Sequence, residues 1–336
     1  MTERSGLEAR LEEVLLRLVS LQKESGEFQT KELYPLDFPE QGWIDGIPSP
    51  FITSSALLSL MEIKKPQGKI IMENGLGFIN SRREHQLWRF WDNKLAQNKV
   101  PLDADDTALC SFLVEHVAGK TPSNKKLLLA NRNSDGFFLT WFLPRIGFIT
   151  NPLFLLQLYK DQKGSANTVA QQMLAPDDYE LSIIANVLLY MGQNAETQKN
   201  VDFVIDTMLQ ERPYECHFYD EPVFTWYHIS RAYKYSVKDF GRLKDVFLKF
   251  AKLRIASLNP DNDLPLATVL ANVCHNFGFW EGAGDLREML DRADIQKLDK
   301  PYPYFTSKNR RYRAGAAGLT LAWYAEYLNN AITHFA

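Results

Sequence analysis

Pro101-Leu102-Asp103-Ala104-Asp105-Asp106-Thr107-Ala108-Leu109 places three carboxylates within four residues, at the head of an apolar run through Phe112, Leu113, Val114 and Val117. Such a run reads as a buried helix with an acidic first turn. Asp103 and Asp106 have the spacing of a capping box, with Asp103 as N-cap and Asp106 reaching back to the Asp103 amide. The helix dipole also favours carboxylates there. Asp105 lies on a different side of that turn, gains little from the cap and is costly to bury ionised. If the capping pair stays charged, repulsion between like charges keeps a proton on Asp105. Cap and proton source are therefore compatible readings, and Asp105 is the expected acid.

Outward from this helix the same construction recurs. Apolar segments rich in small residues begin near Pro50, Asp103, Pro176, Pro222, Pro265 and Arg313. Their spacing is roughly 45–50 residues, with one longer interval, which is the range of a helical repeat. Amphipathic stretches fall between them, at about 7–21, 68–83, 123–131, 195–210, 239–257 and 281–292. Proline stands at or before most of the apolar starts, as it does at helix N-termini. Strand-like alternation is nearly absent. The expectation is an all-α fold, an (α/α)6 barrel of six inner and six outer helices forming one domain over residues 1–336. An open solenoid would satisfy the period as well. Closure is favoured because the inner segments are apolar on every side and the loops before them are long and aromatic. In a closed barrel the inner helix starts gather at one mouth, which brings distant parts of the chain together.

The bulk composition excludes several classes. A net charge of −3 and widely dispersed basic residues give no footprint for nucleic acid. Cys110, Cys216 and Cys274 lack the paired spacing of a metal knuckle or a disulfide framework, which fits a reducing, cytoplasmic setting. The first residues lead into a charged amphipathic helix and not an apolar signal core. Residues 137–159 are strongly apolar, but Pro144, Arg145 and Pro152 interrupt them, and a spanning helix wants about 20 uninterrupted apolar residues. A greasy surface patch in peripheral contact with lipid remains open.

The motif carries a resemblance. Asp103-Ala104-Asp105-Asp106-Thr107-Ala108 resembles the D-x-D-D-T-A signature of class II terpene cyclases such as the squalene–hopene cyclases. The chain has length for only one of the two or three domains usual there, so it is most similar to the single-domain cyclases of meroterpenoids. That resemblance implies protonation of a terminal alkene by Asp105, with Asp103 and Asp106 as partners. It implies as substrate a linear prenylated aromatic acid, such as a geranylgeranylated dihydroxybenzoate, closed to a sterol-like ring system. No metal, no other cofactor and no obligate protein partner are expected. The family's acid is commonly held by a histidine on the next inner helix; here Asn186 stands there as candidate anchor, and His228 is a second.

A cation in a dry pocket is stabilised by aromatic faces. The candidate lining is Phe51, Trp88, Trp91, Trp226, Tyr227, Tyr302, Tyr304 and Trp323, with Arg310 as a clamp for a carboxylate head. Three rivals share the helical pattern. A glycoside-processing (α/α)6 barrel would set Glu221 or Asp178 opposite Asp105. A protein prenyltransferase β-subunit would need zinc and a partner chain. A helical-repeat binding module would need no acid at all.

Overall fold

The computed structural model describes residues 3–33, 42–92, 95, 100–165, 178–210, 217–260, 262–307 and 312–334. Six buried helices follow one another around a ring: α2 (Pro50–Leu60), α4 (Ala104–Ala118), α7 (Leu181–Met191), α9 (Pro222–Tyr235), α11 (Leu264–Phe277) and α14 (Ala317–His334). Each packs on the next, and α14 packs back on α2, so the ring is closed. The open solenoid is ruled out by that last contact.

The composition of these helices explains their place. Every residue of α2 is buried, and in α7 all but Met191 are. A helix apolar on all sides has no face to offer water. Serine and proline start α2, with the Ser49 side chain accepting from the Ile52 amide and Pro50 needing no donor. Gly119, at φ 63, takes the left-handed position that ends α4.

The outer layer is amphipathic. Helix α1 (Glu3–Leu21) packs on α14 and on α3 (Pro66–Ser81), which covers α2. Helices α8 (Gln198–Leu209), α10 (Lys244–Ser257) and α12 (Gly284–Asp291) cover α7, α11 and α11 again. Between α4 and α7 the layer is thinner. Among the described residues it includes the short α5 (Lys125–Ala130), a 3-10 turn (Ile146–Phe148) and α6 (Pro152–Ser165).

The apolar segment 137–159 divides in two. Phe138, Leu139, Trp141, Phe142 and Phe148 are buried, whereas Ile146, Ile149 and Leu153 stay exposed. Among the described residues no helix is long and apolar enough to cross a membrane.

Among the described residues, four short strands form a feature that the sequence pattern does not show. They are β1 (Lys31–Leu33), β2 (Ile44–Asp45), β3 (Phe305–Thr306) and β4 (Arg313–Gly315), in an antiparallel sheet of order β2-β1-β4-β3. Strands of two or three residues are too short for alternation to register. The sheet joins the loop before α2 to the loop before α14, and β3 also bridges to Tyr219. It ties the loops of the mouth to one another.

Candidate active site

Helix α4 begins where two extended segments grip the motif. The Asp103 amide donates to Trp88 O at 2.9 Å and the Ala104 amide to Thr140 O at 2.8 Å. Bridges of Asp103 to Trp88 and to Trp141 complete the clamp. The Asp103 carboxylate then caps the helix, accepting from the amides of Asp105 at 2.6 Å and Asp106 at 3.3 Å.

The second half of the expected capping box does not form. The Asp103 amide is already spent on Trp88, so Asp106 has nothing to reach back to. Both Asp106 carboxyl oxygens are buried without a hydrogen-bond partner among the described residues. A carboxylate so placed is costly, and burial, with Asp103 and Asp105 adding repulsion, pushes Asp106 well above the usual range. Asp103 rises too, through burial and then the proximity of Asp105, against the two amides that lower it. The flanking carboxyls are therefore not the fixed charges that the motif alone led us to expect.

Asp105 is held differently. Asn186 on α7 donates to Oδ1 at 2.7 Å, and the Tyr219 hydroxyl donates to Oδ2. Burial raises its pKa to about 7, with the Tyr219 and Asn186 hydrogen bonds pulling the other way. Those two donors favour the carboxylate left behind when a proton departs. Asp103 spends its acceptors on the helix amides and Asp106 has no partner among the described residues, so Asp105 is the acid whose conjugate base is met by side-chain donors on both oxygens, which suits a residue that must give up a proton.

Tyr219 was not legible in the sequence as a site residue. It lies in the loop before α9, where the Glu180 carboxylate accepts from the amides of His217 and Phe218, both at 3.2 Å. Glu180 is itself buried at the N-terminal boundary of α7, so the start of one inner helix sets the loop that leads into the next. An isolated tyrosine and glutamate in a loop carry no spacing signal.

Around this acid the aromatic rings gather. Tyr304 stacks on Phe51 at 5.6 Å and meets Tyr219, Phe224 and Trp323 edge-on at 5.2, 4.9 and 5.5 Å. Helix α9 contributes Phe224, Tyr227, His228 and Arg231, spaced three and four apart and so on one helical face. His228 Nε2 meets the Tyr304 hydroxyl at 2.8 Å, so it anchors Tyr304 and not Asp105. Burial and then Arg231 hold His228 well below its usual pKa, so the imidazole is neutral. One turn along the helix, Arg231 donates to Ser59 at 2.8 Å and pairs with Glu326 at 3.2 Å, with the Tyr227 hydroxyl in the same buried network.

The expected lining is therefore split. Phe51 and Tyr304 pack on Tyr219, the partner of Asp105, Trp323 packs on Tyr304 and Phe224, and Tyr227 belongs to the network around Arg231. Tyr302 is half-buried, 6.4 Å from Phe224. Trp91 is at the rim, 5.8 Å from Tyr312.

Two of the expected residues lie elsewhere. Trp226 packs on Phe247 and Phe250 of α10, because a neighbour of the inward Tyr227 is turned about 100° away from it on a helix. Trp88 donates its indole N–H to Ile79 O of α3 at 2.8 Å, which fixes the ring against the outer layer. Arg310, Cys216 and Pro176 lie outside the described residues. Among the described residues no group of His, Cys, Asp and Glu could hold a metal ion. Glu221 pairs with Arg254 of α10 at 2.9 Å, which directs it to the outer layer and not across from Asp105. Asp178 is half-buried, and its carbonyl accepts from the Thr140 amide.

No family model matches the chain, and no curated protein matches it in sequence. Solved structures do. The type II terpene cyclase MstE from Scytonema, as a variant in complex with its product merosterolic acid A, superposes at a TM-score of 0.63. Identity is 12%, and the match covers 98% of each chain. The chain has the fold of a type II terpene cyclase. A second variant of MstE, bound to its substrate geranylgeranyl dihydroxybenzoate, matches equally well, at a TM-score of 0.63 and 12% identity over 98% of both chains. An unsaturated glucuronyl hydrolase specific for heparin also shares the architecture, at 0.55 and 11% identity, over 99% of this chain and 97% of that one. The all-α barrel is common to both chemistries, so the side chains must decide between them.

Proposed function

We propose that the chain is a class II terpene cyclase, which starts its reaction by proton transfer from Asp105 to the terminal alkene of a linear prenyl substrate. The observation that carries this reading is the setting of Asp105. It is one buried carboxyl, raised to about 7, with two donors behind it and aromatic rings around it. The O–H proton adds to the CH carbon of the terminal alkene, and the dimethyl-bearing carbon beside it becomes the tertiary cation. Internal alkenes then attack in turn, each forming a ring bond and passing the charge on. Loss of one proton from the last cation restores neutrality, so product and substrate are isomers. The faces of Phe51, Tyr304, Trp323 and Phe224 can stabilise the travelling charge without bonding to it.

A sugar-cleaving site would need a second carboxyl facing the first across the scissile bond. Glu221 is engaged by Arg254, and rings occupy the neighbourhood of Asp105, so the hydrolase reading has less support. The ligands of MstE support a prenylated aromatic acid as the substrate class, with closure to a polycyclic product. Exposed Ile146, Ile149 and Leu153 extend the reading to peripheral contact with lipid, from which such a substrate would be drawn; co-sedimentation with vesicles tests that part.

The function is tested by incubation with a panel of linear substrates: geranylgeranyl dihydroxybenzoate, geranylgeranyl diphosphate and a free polyene. The expected result is a product of unchanged mass and altered retention by liquid chromatography and mass spectrometry. Turnover of an unsaturated uronide and of no prenyl substrate would replace this reading with the hydrolase one.

A further inference from the structure

A cyclase of this kind must also end its reaction, and the proton taken at the end has to leave the pocket or return to the acid. Both tasks meet on one file of adjacent buried side chains. Asp105 Oδ2 accepts from the Tyr219 hydroxyl. The Tyr219 and Tyr304 rings are in edge contact at 5.2 Å, with Phe51 against both. The Tyr304 hydroxyl meets His228 Nε2 at 2.8 Å. All four residues are buried, and His228 Nδ1 has no hydrogen-bond partner among the described residues.

We infer that Tyr304, backed by His228, takes the terminating proton, and that Tyr304 and Tyr219 return it to Asp105. The inference rests on the proposed cyclase reading. The Tyr304 oxygen belongs to the aromatic cluster that would surround the cation. It accepts the proton from the carbon beside the last cationic centre, and the C–H electron pair becomes the product alkene. In the same step the original Tyr304 proton passes to His228 Nε2, which forms an imidazolium.

That imidazolium has no acceptor at Nδ1 and stands near Arg231, so it is a carrier and not a resting place. It gives the Nε2 proton back to Tyr304. Tyr304 hands its substrate-derived proton to Tyr219, and Tyr219 hands its own to the Asp105 carboxylate. The histidine returns to its starting tautomer, only hydroxyl rotations remain, and the acid is reloaded. A weak base suffices, because a C–H beside a carbocation is a very strong acid.

The test mixes two forms of whichever panel substrate the wild type cyclises, one perdeuterated in its prenyl chain and one unlabelled, at saturation in ordinary water. Direct return predicts unlabelled product molecules carrying one deuterium at the initiating carbon. Tyr304→Phe, which keeps the ring stack on Phe51, should lose that transfer. It should also lower turnover roughly 10²-fold, the usual worth of a general base, and yield shifted alkene isomers or trapped alcohols. His228→Gln should lose the transfer too, with its fold checked by circular dichroism. Two results would overturn the inference. One is no deuterium in the wild-type product. The other is unchanged transfer and product ratio in a folded Tyr304→Phe. If the wild type cyclises no member of the panel, it is the proposed function that falls.

Discussion

Asp105 is burdened by burial and relieved by two donors, and each influence can be removed separately. Its folded pKa, about 7, lies above the ordinary 3.8. The stability that comes from its protonation is therefore complete below about pH 4 and lost as the pH rises through 7, by at most about 1.4 kcal/mol per pH unit. Asp103 and Asp106 are raised as well, so Asp105→Asn should make the decline shallower, which denaturant midpoints of both proteins between pH 4 and 8 would reveal. Turnover should fall above pH 7 as the acid ionises. Asn186→Leu and Tyr219→Phe take away donors that favour the carboxylate, so the alkaline limb of the rate profile should move to higher pH in both. If neither variant moves it, Asp105 is not the group that titrates. Asp106 presents the opposite case. With no donor to lose, Asp106→Asn should lower turnover by no more than about tenfold, 1.4 kcal/mol in barrier. The Asn186–Asp105 contact was legible in the sequence because the motif's resemblance points to the next inner helix, and position on a helix leaves a pattern. The absent Asp106 back-bond was not, since it depends on Trp88 taking the Asp103 amide, a contact between segments with no local trace.

The elements most open to sequence reading were the inner helices, whose all-round apolarity admits only burial. Their aromatic faces were partly open to it. Tyr227 shares the three- and four-residue spacing of Phe224 and Arg231 on α9 and Trp226 does not, so the helical period could have excluded Trp226; composition alone could not. The small sheet was hidden, yet it sets the position of Tyr304, whose amide donates to Ala314 O of β4 at 2.9 Å. Next along β4, a Cβ on Gly315 would stand 2.0 Å from the Tyr302 carbonyl oxygen. That backbone cannot yield cheaply, so Gly315→Ala should destabilise the protein by about 2 kcal/mol. It should also impair turnover more than the loss of stability explains, by displacing Tyr304. Thermal melts alongside initial rates would separate the two effects.

Over the whole molecule the closed ring gathers residues from α4, α7, the loop before α9 and the loop before α14 around one acid, though 199 positions separate Asp105 from Tyr304. Closure also buries Arg231 and Glu326, on α9 and α14, inside the barrel. Removing one partner of a buried pair strands the other charge, so Arg231→Met should cost about 3–5 kcal/mol. Adding Glu326→Gln should recover much of that loss in the same denaturant titration. If the double variant is no more stable than the single one, the pair is not the electrostatic unit described here.

The account turns on whether Asp105 starts the reaction. The most direct measurement compares turnover of geranylgeranyl dihydroxybenzoate by the wild type and by Asp105→Asn, with folding of the variant verified by its circular dichroism. The prediction is an isomeric cyclic product from the wild type and a loss of about a thousandfold or more in the variant. A folded Asp105→Asn protein that forms the same product at near wild-type rate would contradict it.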